Sequence, residues 1–89
     1  MSAAGKRHLS RIHELPCVIC LHCYGRKVNA EEAHHLEFVR GDHSASATIP
    51  ACKECHDELH RLRRRAFYRA RKIDDVKLLA WTIALLEAA

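Results

Sequence analysis

The sequence lacks the features that mark membrane and secreted proteins. It has no apolar run of about 18 residues, the length that indicates a membrane-spanning helix. Its first residues, 1–11, are polar and basic and do not contain the apolar stretch of a signal peptide. We therefore expect no membrane partner and a location in a reducing cytoplasm.

Internal repeats and low-complexity linkers are also missing, so the 89 residues are expected to form one domain. A chain of this length buries a limited core, and small domains often gain stability from bound metals or disulfides. Five Cys and eight His are present, and in a reducing compartment paired cysteines indicate metal ligands before disulfides. The formal net charge of +4 is compatible with a polyanionic partner without identifying one.

Hydrophobic spacing and proline positions predict the elements of the first half of the chain. We expect a short helix over residues 3–14, which ends before Pro16 because the residue preceding a proline avoids the helical region. Residues 17–24 are interpreted as a metal knuckle, followed by a turn at Gly25. Residues 28–38 are expected to form a strand or a pair of strands around two adjacent histidines.

The second half is predicted to be mostly helical. The small, polar residues 40–48 indicate a loop, and a helix is expected from about 52 to 71. A second helix over residues 74–88 has Asp74 as a candidate N-cap. Residues 76–86 are apolar on most sides, so this helix is either buried in the core, which we favour, or supplies a homodimer contact. A monomer and a weak homodimer through this helix both remain open.

Two C-x2-C pairs, Cys17 with Cys20 and Cys52 with Cys55, predict a structural zinc site. Thiolates are soft ligands that suit Zn²⁺, and four of them complete a closed tetrahedral shell with no open position for a substrate. The alternatives are two disulfides or four unliganded thiols. Cys23 offers a competing pair with Cys20, but we favour Cys17 with Cys20 and interpret Cys23 as a spare thiol.

A second metal site is predicted from histidines. His56 and His60 lie four residues apart, so they share one face of the predicted long helix. Cys55 and His56 point about 100° apart, which lets the same helix start serve two different metals. His34 and His35 are neighbours on the preceding strand and face opposite ways, so one can bind metal while the other reaches elsewhere. The alternatives are four packing or surface histidines, or a structural finger with mixed Cys and His ligands.

Residues 61–72 form a basic stretch directly after these histidines. Guanidinium groups there are expected to contact nucleic-acid phosphates and to set affinity without reading sequence. The residues assigned to DNA binding are Arg61, Arg64, Arg65 and Arg69. The alternative is a solvated helix face whose charges pair with the nearby Glu54, Asp57 and Glu58.

These motifs resemble the HNH nuclease superfamily, also called His-Me finger or ββα-metal nucleases, in its zinc-ribbon branch. The matching stretches are 17–20 (CVIC), 33–36 (AHHL) and 49–60 (IPACKECHDELH). The resemblance implies an α+β fold, namely a small ββα-metal domain with a structural four-cysteine zinc site and flanking helices. It also implies a metal-dependent endonuclease that hydrolyses DNA phosphodiester bonds and acts as a nickase when monomeric. Similar small proteins are frequent in phages, which implies the cytoplasm of a bacterium or of a phage-infected host.

Roles follow from the resemblance by matched position. His35 corresponds to the general base that activates water. His34, His56 and His60 correspond to the ligands of a single divalent ion, which in this family is typically Mg²⁺ or Mn²⁺ and sometimes Ni²⁺ or Zn²⁺. The zinc at the four cysteines is structural.

One family feature is missing, namely the middle Asn that orients the base. The only Asn is Asn29, which precedes the His pair. A backbone carbonyl or a side chain from the following stretch is the candidate substitute; the side chains are Asp42, His43, Ser44, Ser46 and Thr48. The missing Asn favours a non-catalytic, zinc-stabilised DNA-binding or assembly module, whereas the intact set of four histidines favours the nuclease.

Overall fold

The computed structural model describes residues 2–36, 47–62 and 64–89. Its elements in chain order are α1 (Ala3–His13), α2 (Val18–Tyr24), β1 (Glu32–His35), β2 (Thr48–Ala51), α3 (Lys53–Arg61), α4 (Arg64–Arg71) and α5 (Asp75–Ala88). A β-hairpin is thus followed by helices, and the predicted α+β class is confirmed. Most of the loop expected over 40–48 lies outside the described residues, and so do Asp42, His43, Ser44 and Ser46.

The expected knuckle at residues 17–24 is a short helix, α2. Cys17 is its N-cap, and the Cys17 Sγ accepts a hydrogen bond from the Cys20 backbone N–H at 3.5 Å. Gly25 ends the helix in the left-handed conformation, with φ of 65°, which glycine adopts at little cost. The C-x2-C spacing therefore places both cysteines at one helix start.

The second strand of the hairpin, β2, was not predicted, because its residues were expected to belong to a loop and to the segment just before a helix. β1 and β2 pair antiparallel, with His34 opposite Ile49 and His35 opposite Thr48. Because Leu36 N–H donates to the Ala47 carbonyl at 2.8 Å, hydrogen-bonded and non-hydrogen-bonded pairs alternate from there. Pro50 then falls at a non-hydrogen-bonded position, where a strand tolerates a residue without an N–H.

The prediction of one long helix over 52–71 is wrong, because the chain forms α3 and α4 instead. α3 ends at Leu62, whose backbone is extended at φ −90° and ψ 152°. In a continuous helix Phe67 and Tyr68 would lie roughly 80° and 180° around the axis from Leu59. Because of the break, the side chains of Leu59, Phe67 and Tyr68 all enter the same core. The sequence has no glycine or proline at this point that would predict the break.

The core lies between the hairpin and the helices. All four residues of β2 are buried, since α1 and α5 both contact this strand. The largest fully buried apolar side chains are Phe67, Ile12, Ile19, Leu36, Ile49, Leu78 and Val18. Among the described helices, none is long and apolar enough to cross a membrane.

The last helix, α5, begins as predicted. The Asp74 carboxylate accepts a hydrogen bond from the Lys77 backbone N–H at 2.7 Å and caps the helix. Leu78 is fully buried, which confirms that α5 contributes to the core, while Val76 and Ile83 are 69% and 46% exposed. The homodimer alternative stays a prediction.

Candidate metal centres

Two helix starts bring the four predicted cysteines together. Cys17 and Cys52 are N-caps of α2 and α3, and Cys20 and Cys55 lie three residues into the same helix starts. The Cys52 Sγ accepts from the Cys55 backbone N–H at 3.5 Å, as Cys17 does from Cys20. Helix N-termini favour negative charge, and at both pairs this effect acts against burial, which disfavours a charged thiolate.

The sulfur positions fit a tetrahedral zinc ion. The four Sγ atoms lie within 4.8 Å of one another, and the Cys20 Sγ lies 3.8 Å from that of Cys52 and 3.7 Å from that of Cys55. A tetrahedral ion with Zn–S bonds of about 2.3 Å separates its sulfurs by about 3.8 Å. All five cysteines are free, so the disulfide alternative is excluded in this structure and the predicted four-cysteine site is confirmed.

Three thiols of this cluster differ in how readily they ionise. A hydrogen bond from the Cys55 thiol lowers the pKa of Cys17 to about 5, against an opposing effect of burial. Burial and the charge on Cys17 raise the pKa of Cys20 to about 12. The pKa of Cys55 is raised as well, because its thiol donates to Cys17 and is buried. Cys17 is thus the thiol of these three that ionises most readily, and a divalent ion would favour ionisation of its buried neighbours.

Cys23 lies outside this cluster, as expected for the spare thiol. It is half-buried on α2, and burial raises its pKa. A thiol with a raised pKa is mostly protonated at neutral pH and is a poor nucleophile. The cluster contains Cys17 and not Cys23, in agreement with the preferred pairing of Cys17 with Cys20.

Three of the four predicted histidines also converge. His34 on β1 and His56 and His60 on α3 place one ring nitrogen each within 4.8 Å of one another. The Nε2 atoms of His56 and His60 are 3.2 Å apart. A tetrahedral ion with metal–nitrogen bonds of about 2.0–2.1 Å separates its nitrogens by about 3.3 Å, so the three imidazoles fit one ion.

The histidine cluster is open on one side. His34 and His56 are half-buried, whereas His60 is exposed. Burial, together with charge on His56 and His60, lowers the pKa of His34 to about 4. His34 is therefore neutral at pH 7, the form in which imidazole binds a metal. Three protein ligands leave coordination positions for water or substrate.

His35 is placed beside this cluster along the chain but is not part of it. It is half-buried at the end of β1, and successive strand residues face opposite sides of a sheet. Thr48 is its cross-strand partner at a non-hydrogen-bonded pair, where side chains approach more closely. Of the candidate substitutes for the missing Asn, Thr48 is the one within the described residues, and it is fully buried.

An acidic side chain that the sequence analysis did not select lies near the histidines. The Asp75 carboxylate acts on His34 by raising its pKa, against the larger lowering effects. It accepts a hydrogen bond from the Tyr68 hydroxyl at 2.6 Å and pairs with Arg64 at 3.6 Å. No local motif indicates this contact, because Asp75 reaches the site from the first turn of α5.

The predicted DNA-binding arginines are exposed, but they do not share one helix. Arg61 ends α3, where it borders a shallow depression with the acidic residues Glu54, Asp57 and Glu58. Arg65 and Arg69 are exposed on α4, and Arg64 is half-exposed beside Asp75. The depression beside Arg61 gives partial support to the solvated-face alternative at that position.

No protein-family model, curated protein sequence or solved structure matches this chain. The site is therefore interpreted from its own geometry. That geometry is a small α+β domain with a closed cluster of four thiols and an open cluster of three imidazoles.

Proposed function

We propose that this chain is a metal-dependent nuclease of the HNH type that hydrolyses DNA phosphodiester bonds. The observation that carries the proposal is the open cluster of His34, His56 and His60, with His35 adjacent on β1. Imidazole ligands carry no charge when they coordinate a metal, so they would leave the charge of a bound ion uncancelled. The family resemblance supplies the reaction, and the cluster supplies the ligand set that this reaction needs.

The two clusters have different roles in this proposal, one structural and one catalytic. The cysteines hold a structural zinc that ties the start of α2 to the start of α3, and α3 carries two of the three metal-binding histidines. His34, His56 and His60 would hold a divalent ion, and when bound it would supply Lewis-acid stabilisation of the negative charge on the phosphate and on the leaving oxygen. Imidazole donors suit Zn²⁺ and Ni²⁺ better than Mg²⁺, so all of these ions and Mn²⁺ belong in the assay.

His35 is the proposed general base. Its imidazole takes a proton from water as the water oxygen attacks phosphorus. The bond from phosphorus to the 3′ oxygen breaks, and the 3′ oxygen gains a proton from solvent. The products carry a 5′ phosphate and a 3′ hydroxyl. Arg61, Arg64, Arg65 and Arg69 bind flanking phosphates in this scheme.

Nicking of supercoiled plasmid tests the proposal. The zinc-loaded protein is assayed with Mg²⁺, Mn²⁺, Ni²⁺ or Zn²⁺ and with EDTA. We expect nicking with at least one ion, and we expect His35→Ala to lower the rate about 10²–10⁴-fold while metal content stays unchanged. His13→Ala is the matched control, because His13 is exposed on α1. DNA binding without nicking under any ion would instead identify a non-catalytic, zinc-stabilised module.

A further inference from the structure

A second concave surface lies between α2, the end of α4 and α5. It encloses about 530 Å³ and contains none of the metal-cluster residues. Its chemically distinctive lining residues are His22, Tyr24, Trp81, Arg71, Lys72 and Lys77. Among the described residues no carboxylate lines it, so this cleft combines flat rings with positive charge.

Two of the rings form a flat wall. His22 and Trp81 are parallel, with ring centroids 4.3 Å apart and planes inclined by 6°. Trp81 packs against the core, whereas His22 is exposed. One face of the imidazole is thus backed by the indole and the other faces outward. Flat rings of this kind accept nucleobases by stacking, with little dependence on base identity.

Arg71 supports the opposite part of the cleft. Its guanidinium donates to the Tyr24 hydroxyl at 2.8 Å and to Glu58 Oε2 at 3.0 Å. It also donates to the Phe67 carbonyl at 3.3 Å. Because Arg71 is engaged with protein groups, it fixes the Tyr24 ring and leaves the recognition of an anion to the lysines.

Lys72 and Lys77 supply that recognition. The Lys77 ammonium donates one hydrogen bond to the Lys72 carbonyl at 3.2 Å, and an ammonium has three protons to donate. Lys72 has a left-handed backbone, with φ of 55°, directly after α4. Glycine or asparagine is usual at such a helix end, so a lysine there has an unfavourable backbone conformation. Its presence indicates a role for the Lys72 side chain.

We propose that this cleft, the His22–Trp81 cleft, binds a nucleotide, with its base on the imidazole face and its phosphate at Lys72 and Lys77. The volume lies within the range of about 300–1,000 Å³ for small-molecule sites. The nucleotide belongs either to a single nucleic-acid strand or to a free mononucleotide, which share this chemistry. The inference does not depend on the proposed nuclease reaction, because it concerns binding at residues outside both metal clusters.

Trp81 is the only tryptophan, so its fluorescence reports this cleft directly. The full-length, zinc-loaded His60→Ala variant is used, which prevents cleavage of the ligand. It is titrated with thymidine monophosphate and with a fluorescein-labelled oligothymidylate of about 12 nucleotides at low salt. We expect saturable quenching of Trp81, with a matching rise in the anisotropy of the labelled strand.

Lysine variants locate the binding. Lys77→Gln is expected to weaken binding about threefold or more and, for the strand, to reduce the logarithmic salt slope by roughly 0.7. Lys6→Gln removes the same charge from the exposed surface of α1 and is expected to change neither quantity. His22→Ala, at an exposed position, is expected to weaken anisotropy-measured strand binding while zinc content and helix content stay constant.

The outcomes separate the two nucleotide sources and the two proposals. A strand that binds at least about tenfold more tightly than the mononucleotide indicates a nucleic-acid strand, and similar affinities indicate a free nucleotide. An absence of Trp81 quenching with both ligands, or equal effects of Lys77→Gln and Lys6→Gln, would overturn the inference. Failure of plasmid nicking with intact Trp81 quenching would reject the nuclease alone.

Discussion

The two clusters meet on one helix, α3, and differ in almost every other respect. Cys55 and His56 follow each other on α3, yet Cys55 is 7% exposed in a closed cluster and His56 belongs to a cluster that reaches solvent at His60. The closed cluster has four soft ligands and no free position. The open one has three imidazoles and room for a further ligand.

In the proposed function, this difference separates the residues that stabilise the fold from those that carry the chemistry. Adjacent residues on a helix point about 100° apart, so one turn of α3 can face the core on one side and solvent on the other. Small domains often gain stability from a bound metal, and the buried cluster is the candidate for that role. In the proposed function, the exposed cluster would exchange its ligands without loss of the fold. Variants of adjacent residues should therefore have opposite consequences.

The largest expected effect is the loss of the fold in Cys55→Ser. The variant removes one of four zinc ligands, and structural zinc sites contribute on the order of 10 kcal/mol to small domains. We expect no cooperative thermal transition by circular dichroism and no stoichiometric zinc. Cys23→Ser is the control, because Cys23 lies outside the cluster, and it should melt like the unmodified protein. A cooperative melt in Cys55→Ser would mean that the cysteines do not hold the domain together.

The next largest effect is expected at the adjacent residue, in activity rather than stability. His56→Ala should keep a melting temperature within about 3 °C of the parent value but bind one metal per chain instead of two, by elemental analysis. Plasmid nicking should fall at least about 100-fold, since a direct ligand matters more than the outer-shell groups whose loss costs 10–100-fold. If His56→Ala still binds two metals per chain, His56 is not a metal ligand of the open cluster.

A smaller effect is expected where α4 is joined to α5 near the open cluster. Tyr68 donates to Asp75 at 2.6 Å, and Tyr68→Phe should lower the free energy of unfolding by about 1 kcal/mol at pH 7. Burial and this hydrogen bond raise the pKa of Tyr68. The resulting stabilisation is present below the unfolded-state tyrosine pKa of about 10 and is lost as pH rises through the higher folded value.

Urea denaturation between pH 7 and 11 measures this contribution. The unmodified protein should lose stability above about pH 10, and Tyr68→Phe should lose less over the same interval. Tyr24→Phe changes the only other tyrosine, which is 46% exposed, and should keep the full alkaline loss. Equal pH slopes for the unmodified protein and Tyr68→Phe would exclude Tyr68 as the source.

The sequence predicts the features of the two clusters that depend on residue spacing within one element. It does not predict the features that depend on packing between elements. Spacing alone identifies the two C-x2-C pairs and places His56 and His60 on one helix face. Strand β2 is not predicted, because Pro50 suggests the start of a helix. In the structure, Pro50 lies at a non-hydrogen-bonded position of the strand pair, where its missing N–H is tolerated. The break at Leu62 is missed because core packing, not a helix-breaking residue, causes it.

Contacts between distant elements could not be predicted from the sequence either. Asp75 approaches His34 from α5, and Trp81 of α5 stacks on His22 of α2, without any spacing signal that links them. Secondary-structure patterns report which face of an element is apolar, but not which neighbour covers it. The position of the His34–His35 pair on the strand before α3 made it the predicted source of the third ligand, and the resemblance to HNH nucleases selected His34 within that pair.

The smallest expected effect concerns the exposed arginines of α4. Arg69 is exposed on α4, and Arg69→Gln should weaken binding to duplex DNA about threefold and reduce the logarithmic salt slope by roughly 1, as expected for one lost phosphate contact. Arg7→Gln removes the same charge from the exposed surface of α1. Fluorescence anisotropy across a salt series compares the two variants. If both weaken binding equally, DNA responds to the net charge of the domain, and the arginines of α4 have no special relation to the histidines.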